Sequence, residues 1–327
     1  MVDNLPKGMR DYMLHHYRHF NSAELVRAAE AWVERLEAGD SFMLALAGAL
    51  SSAEIGVSLA AMIKEGKIHA ISCTGANLEE DVYNLIARDN YRELPNYRDL
   101  TAEDEKQLSE QGFSRVADTS IHDMKAMHRL NSVMAERWLK AIQEGERKPP
   151  HEYLYDVLLE GILEDDYCID PAHSWVLAAA KKNLPLFVPG WEDSTLANFL
   201  VACEKNTDGG FVDVISSGLE IMSDLVDWYI EETAVNQVGF VQVGGGIAGD
   251  FPICVVPLIN QDIMGKAPPW SYYCQISDST TSYGSYSGAV PNEKISWGKL
   301  IPETPRFMIE SDATIVLPLL FSYIMDD

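Results

Sequence analysis

The sequence has little with which to hold a metal ion or build a disulfide framework. Its five cysteines, Cys73, Cys168, Cys203, Cys254 and Cys274, are odd in number and widely spread, with no C-x-x-C pair and no Cys/His cluster. Neither a zinc site nor a stapled extracellular scaffold is expected. Long apolar runs are also missing. No stretch of about 18 uninterrupted apolar residues occurs, so no membrane span is predicted. The opening segment MVDNLPKGMRDYMLHHYRHF lacks the apolar run of a secretory signal, and a reducing cytoplasm is the expected location. Positive charge is scarce as well: 25 Lys+Arg stand against 50 Asp+Glu, a formal net charge of −25. Such a surface repels phosphate backbones, which argues against a nucleic-acid partner, and it attracts cationic small molecules.

What is present is an ordinary globular composition. Hydrophobic residues make up 47% of 327 and charged residues 23%, enough to bury a core and to exclude disorder. The length suits two average domains or one large α/β domain. No linker rich in Pro, Gly or Ser divides the chain and no repeat is visible, so one unit over 1–327 is expected.

Short, almost wholly apolar segments alternate with helical ones. A helix is predicted over 21–37, where Asn21 and Glu24 have capping-box spacing ahead of Leu25, Ala28, Ala29, Trp32 and Leu36. FMLALAG (42–48) then reads as a strand buried on both faces of a parallel sheet. Ser51 and Glu54 repeat the capping spacing and open a helix to about Gly66, and KIHAISCTG (67–75) is a second buried strand. After a helical insertion over about 101–182, LPLFVPG (184–190), FVDVIS (211–216), GFVQVGGG (239–246), YYCQIS (272–277) and RFMIES (306–311) continue the strand series. Helices are predicted between them at about 194–205 and up to about Val235. Six or seven strands alternating with helices predict an α/β fold: a doubly wound, Rossmann-like, mostly parallel sheet with helices on both faces.

Two loops invite a phosphate or a ribose. Gly244, Gly246 and Gly249 have G-x-G-x-x-G spacing directly after a strand, a pattern that lets a pyrophosphate approach the backbone at a helix N-terminus. The acidic residue expected about 20 positions on is missing from GKAPPW (265–270), so an ordinary strand-to-helix turn stays open as the other reading. CTGANLEED (73–81) ends a strand and opens a helix with Glu79, Glu80 and Asp81, acids that the helix dipole favours in any case.

The most informative stretch is YSGAVPNEKISWGKLIPETPRFMIESDATIVLPLL (286–320). Lys299 follows Trp297 and Gly298, with Glu293 six residues upstream. A lysine beside an aromatic wall can lose its proton more easily and enter imine chemistry, although most lysines simply face solvent. The segment SGAVPNEKISWGK resembles the signature of the deoxyhypusine synthase family, whose nucleophilic lysine closes an E-x-x-x-W-G-K run. ALSS (49–52), TGANLEED (74–81), PGWEDSTLAN (189–198), the glycines at 244–246 and Ser-Asp-Ala (311–313) resemble further family motifs in the same order.

That resemblance implies NAD as cofactor, a polyamine such as spermidine or putrescine as substrate, and a homotetramer with active sites between subunits. It implies aminobutyl transfer through an imine on Lys299. It places Glu79, Glu80, Asp250, Glu293 and Trp297 at the substrate, and Ser51, Thr74, Gly75, Ala76, Glu80, Asp193, Gly245, Asp278, Ser279, Asp312 and Ala313 at the cofactor. The departures lie among the amine contacts. The family's K-H-H is Gly249, Asp250 and Phe251 here, two family aspartates are Asn198 and Tyr286, and the asparagine of the first NAD loop is Gly48. The last histidine is His173, so no histidine base stands among the C-terminal motifs. Three readings remain open: a homospermidine synthase-like enzyme of the bacterial branch, a true deoxyhypusine synthase acting on a protein lysine, and a non-catalytic relative.

Overall fold

A computed structural model describes residues 7–281 and 284–326. In chain order its strands are β1 (Ser41–Leu46), β2 (Ala70–Cys73), β3 (Arg92–Glu93), β4 (Phe113–Val116), β5 (Thr119–His122), β6 (Leu186–Phe187), β7 (Val238–Val243), β8 (Tyr272–Ser277) and β9 (Arg306–Glu310). Six of them form one sheet in the order β6-β2-β1-β7-β8-β9, with every neighbouring pair parallel. Counted along the chain this is 3-2-1-4-5-6, the doubly wound order whose direction reverses between the first and fourth strands, here β1 and β7.

The reason these strands read as unbroken apolar runs is visible in β1. Phe42, Leu44 and Leu46 pack into one core together with Trp32, Val82, Trp175 and Leu317, while Met43 and Ala45 pack into a second with Leu225, Tyr229, Phe240 and Trp270. Both faces are covered, so neither needs polar residues. The first face carries the helices Phe20–Glu37, Gly56–Lys64, Gly75–Ala87 and Ala313–Met325, and the second carries Gly218–Thr233.

Four expectations are corrected. FVDVIS is not a strand. Val212–Val214 forms a single 3-10 turn of which Val214 reaches the core, while the backbone around it bonds to Lys148: Lys148 N–H donates to Val214 O and Ser216 N–H to Lys148 O. The stretch expected to be helical over 101–182 also contains the hairpin β4–β5, which joins β3 in a small antiparallel sheet. Asn21 does not cap its helix, which starts at Phe20; its side-chain amide instead bonds both backbone groups of Glu310 at the end of β9. Ser51 caps nothing either. It lies in a turn five residues ahead of the helix Gly56–Lys64, fully buried, its hydroxyl donating to Asn77 O and accepting from Trp175 Nε1. Among the described residues no helix is long and apolar enough to cross a membrane.

Candidate active site

Asp250, Glu293, Trp297 and Lys299 line one cavity of about 750 Å³, together with Met222, Leu225, Cys254, Gln261, Tyr286 and others. Met222 and Leu225 come from the helix Gly218–Thr233, Asp250 from the helix Gly246–Ile253 that follows β7, and Cys254 from the end of that helix. Gln261 comes from the turn Leu258–Asp262, and Tyr286, Glu293, Trp297 and Lys299 from the segment 284–299.

Lys299 is aimed by a helix end. The short helix Glu293–Ser296 is capped by Trp297, and Gly298 takes the left-handed conformation at φ +69°. Gly298 N–H then donates to Ile295 O at 3.0 Å and Lys299 N–H to Lys294 O at 3.0 Å. That pair of bonds is a Schellman motif, which turns the chain back on itself. Only 8% of the Lys299 side chain is exposed. Its Nζ lies 3.5 Å from Asp250 Oδ1, a long contact that is better regarded as charge pairing than as a tight hydrogen bond. Cys254 Sγ lies 3.5 Å from the same oxygen, and burial pushes its thiol up despite the nearby Lys299 cation.

The aromatic group beside the Lys299 ammonium is Tyr286, whose ring centroid is 5.8 Å from Nζ. Trp297, the neighbour in sequence, lines the cavity but stays 66% exposed. Tyr286 is held by its hydroxyl, which donates to Gln242 Oε1 at 2.7 Å; Tyr273 donates to the same oxygen at 3.1 Å and to Gln275 Oε1 at 2.8 Å. Burial pushes both phenols well above their usual range, so they remain neutral donors. A second lysine that sequence reasoning passed over, Lys294, is 3% exposed. Its position after Glu293 reads like a solvent-facing charge; only the fold shows it turned inward.

The remaining predicted residues gather elsewhere, along the C-terminal ends of the parallel strands. Thr74 follows β2 and caps the helix Gly75–Ala87, its Oγ1 accepting from Asn77 N–H and donating to Gly48 O. Gly245 follows β7, Asp278 and Ser279 follow β8, and Asp312 follows β9, where its carboxylate caps the helix beginning at Ala313. Asp193 is exposed in the turn after β6. Glu80 accepts from the Ser52 hydroxyl, and its burial raises its carboxyl above the usual range. Glu79 is not in the lysine cavity. It is 3% exposed and takes the backbone N–H groups of Thr195 and Leu196 at 2.9 and 2.7 Å, securing the start of the helix Thr195–Asn206.

The β1/β7 switch has open glycine backbone beside it. Gly48 and Gly246 flank it, both at positive φ, and a Cβ built on either would meet nothing within 4 Å. With the Thr74-capped helix opening beside them, open glycine backbone at a strand edge fits a pyrophosphate.

The family model for deoxyhypusine synthase matches residues 12–324. Among similar curated proteins, "Probable deoxyhypusine synthase 1" of Archaeoglobus fulgidus is 27% identical over 94% of this chain and 90% of its own length. A "Deoxyhypusine synthase-like protein" from Cyanothece sp. is 25% identical over 97% of this chain and 78% of its own. Among solved structures, one described as a deoxyhypusine synthase from Entamoeba histolytica superposes with a TM-score of 0.55 at 12% identity. It covers 96% of this chain and 90% of its own, a likeness of fold.

Proposed function

The chain belongs to the deoxyhypusine synthase family, and from that premise we propose that it is an NAD-dependent transferase that moves an aminobutyl group from a polyamine to an amine acceptor through an imine on Lys299. The convergence of Lys299 with Asp250, Glu293 and Trp297 on one cavity carries this reading. NAD, when bound, supplies the hydride acceptor and donor that such an exchange needs. Thr74, Glu80, Asp193, Gly245 and Asp312 would hold it across the strand ends.

The chain's own residues do the rest. The Lys299 amine adds to the imine carbon of the oxidised donor, and the donor's other amine leaves with a proton, so the butyl carbon becomes doubly bonded to Nζ. An incoming amine then displaces Nζ in the same way. Asp250, 3.5 Å from Nζ, is placed to hold the proton that Lys299 sheds and later regains. Asp250 and Glu293 also give a substrate ammonium partners, without which its burial is costly.

The acceptor we assign is a small free amine, as in a homospermidine synthase. Asn198 and Tyr286 replace two family aspartates while Asp250 adds a carboxylate beside the lysine, which moves where a cation can rest. The exposed Trp297 at the cavity suits a site completed by a second copy in a homotetramer, with the whole chain as one cytoplasmic unit. Incubation with NAD and spermidine, putrescine or agmatine, read by mass spectrometry, should give a coupled polyamine. Modification of a lysine on a purified hypusine-type translation factor, with the free diamines ignored, would instead select true deoxyhypusine synthase activity.

A further inference from the structure

Two buried amides stand in an otherwise apolar part of the sheet. Gln242 on β7 and Gln275 on β8 are register partners, both fully buried, two residues along from Phe240 and Tyr273 and so on the same face as those rings. A buried amide is costly unless its oxygen and its nitrogen are both bonded. Gln242 Nε2 donates to Gly244 O at 3.0 Å, while its Oε1 accepts from the Tyr286 hydroxyl at 2.7 Å and the Tyr273 hydroxyl at 3.1 Å. Gln275 Oε1 accepts from Tyr273 at 2.8 Å, and its Nε2 donates to Ser287 O at 2.7 Å. The carbonyls of Gly244 and Ser287 only accept, so each amide nitrogen must face one of them and each amide oxygen a phenol. The Tyr286 proton is therefore committed to Gln242. Its ring is left for the cations: the centroid is 5.0 Å from Lys294 Nζ and 5.8 Å from Lys299 Nζ.

The same side chain gives the third glycine of the G-x-G-x-x-G pattern a reason. A Cβ on Gly249 would lie 2.9 Å from Gln242 Cδ, so only glycine lets the helix that carries Asp250 pack this closely on the amide. A Cβ on Gly245 would lie 2.8 Å from Ser287 Cα, so the glycine turn also rests directly on the segment that carries Tyr286. Gln242 thus meets three parts of the site at once: Gly244 in the turn after β7, Gly249 beside Asp250, and Tyr286 beside Lys299.

We propose that Gln242 is a positioning residue for the lysine cavity: anchored on Gly244 O, its amide fixes the Tyr286 phenol and so sets the aromatic wall beside the Lys299 amine. The proposal deepens the transfer reading, in which Lys299 is the nucleophile.

One arm of its test needs neither substrate nor cofactor. The full chain is treated with tetranitromethane, which nitrates accessible phenolates, and the Tyr286 peptide is quantified by mass spectrometry. Wild-type Tyr286 should resist, because its hydroxyl is bonded and burial holds its proton. Gln242→Met keeps a long unbranched side chain and removes both amide bonds. Gln242→Asn keeps the amide but is one methylene too short to span Gly244 O and Tyr286. Nitration of Tyr286 should rise at least about tenfold in each, and wild-type protection in either would overturn the proposal. Should Gln242→Met fold poorly, Gln242→Asn decides alone. The second arm measures how fast NAD and spermidine load Lys299, trapped with borohydride. Gln242→Met should slow loading about tenfold in the wild-type background and hardly at all in Tyr286→Phe, where the hydroxyl that Gln242 holds is already gone. Equal slowing in both backgrounds would mean a general loss of structure and would overturn the proposal. Failure of the transfer reading shows separately, as a wild-type protein that takes no adduct on Lys299 while the nitration arm still reports whether Gln242 holds Tyr286.

Discussion

Lys299, Asp250 and Tyr286 come from points in the chain up to 49 residues apart, and their meeting explains what each can do. Sequence adjacency pairs Lys299 with Trp297, but a helix-ending turn sends the two side chains to different surroundings and gives the lysine Tyr286 instead. Adjacency could not reveal this, because a partner chosen by tertiary packing leaves no local pattern. Asp250 is the carboxylate paired with Lys299, the proposed nucleophile, so Asp250→Asn should raise KM for the polyamine by about tenfold while NAD affinity holds. Steady-state kinetics with calorimetric NAD titration checks this, and an unchanged KM would remove Asp250 from the substrate site. His151 sets a pH dependence far from that site. It is buried, and burial drives its imidazole down to about 3 from an ordinary 6.5. Between those values the unfolded chain binds a proton that the folded chain refuses, so stability falls as pH drops from 6.5 toward 3, by up to about 1.4 kcal/mol per pH unit. Denaturant titrations from pH 7 to 5 should show His151→Phe losing about one proton's worth of that slope. An unchanged slope would place the acid sensitivity elsewhere.

The elements that were legible are those buried on both faces. β8 coincides with the apolar run that announced it, and β1 and β7 start within one residue of theirs, because a strand sandwiched between helices admits few polar residues. FVDVIS looks equally apolar, yet its backbone groups are taken by Lys148 and Tyr153 rather than by a sheet partner, which composition cannot show. The small sheet escaped for the opposite reason: β3 is two exposed charged residues, and β4 and β5 carry Ser, Arg, Thr and His. The helix end at Gly298 allows a direct test. A Cβ there would meet only Gln261 Nε2, at 3.7 Å, so Gly298→Ala is limited by left-handed strain rather than by space. A loss of about 1 kcal/mol in unfolding free energy is expected. A slower reaction at Lys299 should accompany it, as the Schellman turn loosens. Denaturant midpoints and single-turnover rates check both, and wild-type values in each would mean that the turn does not aim the lysine.

At the scale of the whole molecule, the lysine cavity is built from the segment 284–299, the helix Gly218–Thr233 and the stretch after β7, whereas Thr74, Gly245, Asp278 and Asp312 follow the C-terminal ends of β2, β7, β8 and β9. The alternation of strands and helices was enough to foresee that edge; which acids face it was not, since Glu79 turned out to fasten a neighbouring helix. Glu80→Ala and Asp193→Ala should each weaken NAD by at least about tenfold, the worth of one charge-assisted hydrogen bond. Calorimetry showing wild-type NAD affinity in both would mean that the cofactor lies elsewhere.

The most direct test of the account is where a covalent adduct forms. The protein is incubated with NAD and spermidine, reduced with borohydride, digested and mapped by mass spectrometry. A butylamine adduct on Lys299, missing from Lys299→Arg because a guanidinium does not deprotonate to form an imine, is the predicted result. An adduct on Lys294 or another residue, or equal labelling of wild type and Lys299→Arg, would contradict it.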